Sequence, residues 1–425
     1  MEKCTYTKSG IPIYTYKNDS LHSFHISLFL KAGSMYESEE ESGITHLFEH
    51  ILVRNSNKLY SGKLYSTLDY YSLDFNASTY SEMVQFYVHG ACENFTRGAD
   101  IITSLMSDIV LTAEEINAEK KRVKAEIRES DETGSIVSLS SSVVYYGTPL
   151  ARGILGNNKS IDKIGKARLI SYRRRIFTPD NIFFYITGSF TDSDLQALRE
   201  RIDKYEIYEG ENGERPHDNV AELPADFFNR APSVNIKNES YTLLRFSFDV
   251  DMKKVNPRVL DLLYDMLLSG YNSPFFVQMS EQRGLFYDIQ GSAEHFKNIG
   301  ALQFTYELRE KNIYDAVNLT VKILRDFKGR LYPDGELMKA SYVTNVGLLY
   351  DDARESGFTL AYDNHIMSLG YETLAMRAEA YKSITPCEIK DAANEIFKPQ
   401  NLSLYIKGAK KKINLEKIKE ILKEL

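Results

Sequence analysis

The sequence predicts an α/β protein of two homologous domains, each a mostly antiparallel sheet packed with helices. An internal repeat carries most of this. Ile176-Phe177-Thr178-Pro179-Asp180-Asn181-Ile182-Phe183-Phe184-Tyr185-Ile186-Thr187-Gly188 returns 220 residues later as Ile396-Phe397-Lys398-Pro399-Gln400-Asn401-Leu402-Ser403-Leu404-Tyr405-Ile406-Lys407-Gly408. In both copies an amphipathic helix stops before a proline and a short apolar run reads as a buried strand. The second observation is a shared order of patterns: each half runs from strand-like stretches through helical periodicity, strands again and a long helix to the repeated element. The third is a polar, turn-rich segment from Tyr208 to Asp218, which reads as a linker. The expected domains are residues 1–207 and 233–425, joined by 208–232.

Taken in order, residues 11–16 and 24–31 open the first half as strands, and 233–236 and 242–249 open the second. Ser42-Gly43 marks a helix start, followed by apolar residues at 44, 47, 48, 51 and 52. Asn76-Ala77-Ser78-Thr79 leads into an alternating strand over 82–88. Residues 112–131 form a long helix whose inward stripe is Ile116, Val123 and Ile127. At the tail, Ile413, Leu415, Ile418 and Leu422 give a charged helix one apolar face, which suits a solvated amphipathic helix.

Composition narrows the function. The 43% hydrophobic content over 425 residues can bury a large core, while a net charge of −7 argues against a dedicated nucleic-acid binder. The amino terminus lacks an apolar signal core, and residues 26–30 are too short to span a bilayer, so a cytoplasmic protein without a transmembrane segment is expected. Cys4, Cys92 and Cys387 have no paired spacing and read as reduced thiols.

His46, Glu49 and His50 stand at i, i+3 and i+4, on one face of the predicted helix. Two imidazoles and an adjacent carboxylate converge there. With eight histidines in the chain, the chance expectation of H-x-x-E-H is roughly 0.01, so two ordinary histidines without a metal are the weaker reading. Zinc needs a third protein ligand and leaves its fourth position open in a catalytic site. Several glutamates could supply it, and 112–131 is the richest source. Glu119 and Glu126 lie seven residues apart, two turns along one face and three residues beyond stripe positions. Carboxylates so near an inward stripe suit a buried cation, although a solvated helix charge remains the alternative for Glu119. His22, His25, His89, His217, His295 and His365 form no ligand set, and the first two read as surface or strand-end histidines.

At these residues the chain resembles the pitrilysin/insulinase family of zinc metallopeptidases, in its short two-domain bacterial form. The family's H-x-x-E-H is followed about 75 residues later by the last Glu of a Glu-x6-Glu motif; here Glu126 stands 76 positions after His50, with Glu119 seven before it. The likeness extends to Lys31-Ala32-Gly33-Ser34, to Asn76-Ala77-Ser78-Thr79 and to the duplicated plan. It implies that His46, His50 and Glu126 bind zinc, that Glu49 is the general base of an endopeptidase using metal-activated water, and that Glu119 supports a ligand from behind. It further implies that Asn76 and Ala77 contact substrate, the alternating strand they lead into accepting a peptide as an added β-strand.

The second half departs from this pattern. Under the 220-residue offset, Met266 to Gly270 replaces the histidine motif. The family's second half supplies an Arg and a Tyr, seven residues apart, to bind substrate and its oxyanion. Tyr287 is present, but Ser280 takes the Arg position, and Arg283 sits three residues too far along to be an obvious substitute. The resemblance therefore implies a heterodimer in which a zinc-less homologous subunit supplies the Arg-Tyr pair. It also extends to peptidase subunits of bacteriocin maturation clusters of the subtilosin type, hence a role in peptide processing. The rival from another class is a non-catalytic structural or peptide-binding subunit.

Overall fold

The computed structural model describes residues 2–133, 135–208, 233–296, 298–330, 335–349, 351–367 and 370–425. They form two compact units, each with one mixed, mostly antiparallel sheet and helices. The expected linker, apart from Tyr208, lies outside the described residues. Tyr208 itself is anchored: Arg173 Nη1 donates to its hydroxyl at 3.0 Å.

The first sheet contains β1 (Lys3–Tyr6), β2 (Pro12–Lys17), β3 (Ser23–Leu30), β4 (Asp74–Thr79), β5 (Val84–Ala91) and β6 (Ile182–Gly188), in the order β1-β2-β6-β3-β5-β4. Only β2 and β6 pair in parallel; the other neighbours are antiparallel. The second sheet contains β7 (Ser233–Asn238), β8 (Thr242–Asp251), β9 (Ile289–His295), β10 (Ile299–Leu308) and β11 (Leu402–Gly408), in the order β7-β11-β8-β10-β9. Again one pair is parallel, β7 with β11. The duplication thus holds strand by strand, with β1 as an addition to the first copy. It also holds in detail. Asn181 Nδ2 donates to the carbonyl of Ile176 and Asn401 Nδ2 to that of Ile396, each at 3.1 Å, so the same side chain ties the helix end to the buried strand in both copies.

One strand expectation is corrected. The alternating strand β5 is paired on both sides, by β3 and β4, and has no free edge. The edge is β4, the strand of Asn76 and Ala77. Alternation shows that a strand has two unlike faces, not how many neighbours it has.

The motif helix (Ile44–Leu59) buries Ile44, Leu47, Phe48, Ile51 and Leu52 completely in the core that also holds Phe86, Val88 and Ile102. Facing it, the acidic helix (Ala113–Thr133) buries Ile116, Val123 and Ile127, so the predicted stripe is the packed one. The tail helix (Leu415–Leu422) has Ile418 and Leu422 fully buried against the helix Ile313–Gly329. Among the described residues, no helix is long and apolar enough to cross a membrane, and the three cysteines are free.

The units do not match the two halves of the chain strictly. The first takes in residues 347–374, and the second takes in 134–151. In the first unit the helix Ala353–Ala361 lies on β3 and β6, fitted so closely that a Cβ on Gly357 would stand 2.8 Å from Thr187 Oγ1 and 3.0 Å from the His25 ring. Beneath it His25 is wholly buried, neither at the surface nor at a strand end, with Nε2 2.8 Å from Ser27 Oγ. In the second unit the helix Ile136–Val144 lies on β8 and β11, and Tyr145 just after it donates to Glu294 at 3.0 Å.

Candidate metal centre

The motif helix starts without help from its own first residues. Gly43 adopts φ +84°, a left-handed conformation, and a Cβ there would meet the Leu155 carbonyl at 2.6 Å. The free N–H groups of the first turn are instead met by Glu37, whose carboxylate accepts from Gly43 at 2.7 Å and Thr45 at 2.9 Å. Burial pushes this carboxyl up to about 7 even though those N–H bonds oppose the rise. One residue before His46, Thr45 Oγ1 lies 2.6 Å from the Tyr172 hydroxyl, which fixes the turn that carries the histidine.

From this helix His46 and His50 point toward the acidic helix, their rings 4.8 Å apart. Glu126 meets both: its Oε2 lies 3.0 Å from His46 Nε2 and 3.6 Å from His50 Nε2. One ligand atom from each of the three lies within 4.8 Å of the others, and among the described residues no other group of three His, Cys, Asp or Glu is gathered in this way. The donor set, two imidazoles and one carboxylate, is the chemistry of a catalytic zinc site. His46 Nδ1 is buried and makes no hydrogen bond within normal length, its nearest acceptor being the Glu49 carboxylate. The residues fit the ion.

Glu49 lies beside the cluster, with Oε2 3.7 Å from His46 Nδ1 and accepting from Thr79 Oγ1 of β4 at 2.5 Å. Burial opposes its charge, but the bonds from His46 and Thr79 outweigh this and hold the carboxyl below its ordinary range. It therefore stands as an anion beside the cluster. Glu119 is buried, its side chain 1% exposed, with Oε2 3.5 Å from His50 Nδ1 and Oε1 accepting from Arg54 Nη1 at 2.6 Å. A solvated helix charge is therefore excluded for it.

Asn76 and Ala77 of β4 line a cavity that also touches Glu49 and His50. Tyr287 and Ser280 lie in the other unit. Tyr287 is 99% exposed, whereas Ser280, in the π-helical turn Phe276–Glu281, donates from Oγ to the Phe286 carbonyl at 3.0 Å. Arg283 is exposed. Glu37, Arg54 and the pairing of Thr79 with Glu49 were not anticipated from the sequence. Of these only Arg54 carried a signal, since it stands four residues after His50 on the same helix face.

Residues 13–158 match the family described as Insulinase (Peptidase family M16), and residues 163–340 match the Peptidase M16 inactive domain. The chain belongs to the M16 peptidase family. Its relatives include an uncharacterized zinc protease of Rickettsia felis, 23% identical over 325 residues that cover 75% of each chain. The fold matches a protease from Helicobacter pylori at a TM-score of 0.85 and 14% identity, over 96% of this chain and 99% of that one. It also matches the periplasmic protease PqqL from Escherichia coli at a TM-score of 0.79 and 17% identity, over 100% of this chain but 50% of that one. This M16 chain thus has the span of half of PqqL.

Proposed function

We propose that the protein is the zinc-bearing subunit of an M16 endopeptidase that cuts peptides or short unfolded segments. The observation that carries this is the gathering of His46, His50 and Glu126 around one point with the Glu49 carboxylate beside it. When bound, zinc supplies a Lewis acid that polarises the scissile carbonyl and acidifies water. Glu49 accepts the proton of the attacking water at its carboxylate and returns it to the leaving amine nitrogen. Thr79 holds that carboxylate toward the reacting bond, and the free edge of β4 receives the peptide main chain in extended form.

The test is Glu49→Gln. It should retain zinc at the stoichiometry of the natural protein while hydrolysis falls by at least about a thousandfold; undiminished hydrolysis refutes the role of Glu49. Peptide binding with no hydrolysis by the natural protein, with its homologous partner present, would favour the non-catalytic reading.

Ser280 supports a finer proposal. An Arg-Tyr pair for the oxyanion comes from a homologous, zinc-less partner, and full activity requires the heterodimer. The fold match to PqqL over half its length supports an assembly of two such chains. Full activity of this chain purified alone would refute it. Processing of a bacteriocin-type peptide is the corresponding pathway proposal, checked by whether a zinc-less sister gene and a radical enzyme or exporter adjoin this one.

A further inference from the structure

Along β4, Thr79 reaches Glu49, while Phe75, Asn76 and Ala77 line a cavity of about 290 Å³ leading away from the metal cluster. Its apolar walls include Phe75, Tyr65 and Val53. Its charged walls are Arg54, Arg122, Glu49 and Glu119. A peptide joining the edge of β4 in the antiparallel sense, as β5 does on the other side, runs in its N-to-C direction from Thr79 toward Phe75. The residue that meets the cavity therefore comes after the bond opposite Glu49.

Two guanidinium groups share one of these carboxylates. Arg54 donates to Glu119 at 2.6 Å and Arg122 lies 3.5 Å from the same carboxylate, so one anion faces two guanidinium groups. Each guanidinium has five N–H donors, and with side chains 37% and 64% exposed both keep donors open to the cavity. With a divalent metal in place, the cations around this end of the site outnumber Glu49, Glu119 and Glu126 by one charge. A carboxylate would balance it, and the planar fork of Arg suits a carboxylate better than any neutral group.

We propose that this cavity selects peptides with Asp or Glu immediately after the scissile bond, bound by Arg54 and Arg122 while Tyr65 and Phe75 cover the side-chain methylenes. The proposal rests on the peptidase reading above. Its test takes the full-length, zinc-loaded protein, together with its homologous partner where activity needs one, and a mixture of amidated peptides whose cut sites are mapped by mass spectrometry. Asp and Glu should be enriched at least fivefold after the cut; Arg122→Gln should remove most of this, and Arg122→Glu should shift it toward Lys and Arg. Enrichment of aliphatic or aromatic residues there, or an identical pattern in both variants, overturns the selectivity and leaves the peptidase reading standing. Absence of any cut overturns both. A second readout needs no turnover: Glu49→Gln protein should bind an amidated Glu peptide at least fivefold more tightly than its Gln counterpart, with the difference shrinking in 1 M salt as screening shortens to roughly 3 Å. Equal affinities at low salt overturn the proposal.

Discussion

Burial works against the charge on Glu119, yet the bonds from His50 and Arg54 keep its carboxyl below the ordinary carboxylate range. Its Oε2, 3.5 Å from His50 Nδ1, orients that ring so that Nε2 faces Glu126. Partners behind a metal ligand typically contribute about 10–100-fold in metal affinity. Glu119→Gln should therefore weaken zinc binding by at least about tenfold, measured by competition with a chelating dye, whereas Glu126→Gln should lose the ion. His25 offers a prediction in another quantity. Burial, with His89 and Arg354 adding to it, pushes His25 down to about 3 from an ordinary value of 6.5. Between those values the unfolded chain binds a proton that the folded chain refuses, so stability falls as pH drops through this window. By pH 5 the loss is about 2 kcal/mol. Urea midpoints in EDTA at pH 7.5 and 5.0 should show it, with a shallower slope in His25→Gln; equal slopes would contradict the neutral, buried state. At this scale the sequence disclosed the start of the cluster because helical spacing alone brings His46, Glu49 and His50 together. It did not disclose Thr79 or Glu37, whose partners are set by the packing of separate segments.

The motif helix is the element on which the site depends, and its cap comes from outside it. Ser42-Gly43 correctly marked the start, since Gly43 takes the left-handed turn, but the capping oxygens belong to Glu37. Local rules find a cap next to its helix; one that arrives through a bend in the preceding chain leaves no pattern. Glu37→Ala should cost about 1–3 kcal/mol of stability, read by thermal or urea unfolding, and should lower zinc affinity by loosening the first turn under His46. The strands repeat the lesson. Residues 24–31 and 242–249 were legible from their apolar runs, close to the observed β3 and β8. The exposed edge at β4 was not, because edge or centre is decided by β3 packing on the far side of β5.

For the whole molecule, the repeat around Pro179 and Pro399 announced a duplicated fold, and the two sheets share one strand order. Invisible in the repeat was the reassignment of 134–151 and 347–374, because a helix carries no mark of which sheet it will cover. A fragment of residues 1–208 would lack the helix Ala353–Ala361, and with it the cover over His25, Ser27 and Thr187 on β3 and β6. Expressed alone, it should aggregate or bind a hydrophobic dye, and adding a fragment of residues 209–425 should restore a soluble, zinc-binding species. A soluble, folded 1–208 fragment would contradict this.

That borrowed helix governs how the protein can be broken and inherited. A protease that nicks the segment between the halves would sever a covalent bond without separating the products, since each product carries a helix belonging to the other's sheet. The chain would behave as an interlocked pair, still folded after cleavage and released only by denaturant. Recombination between related genes would meet the same lock. A swapped half brings a foreign helix to a surface shaped around Gly357, so the halves should be inherited as matched sets.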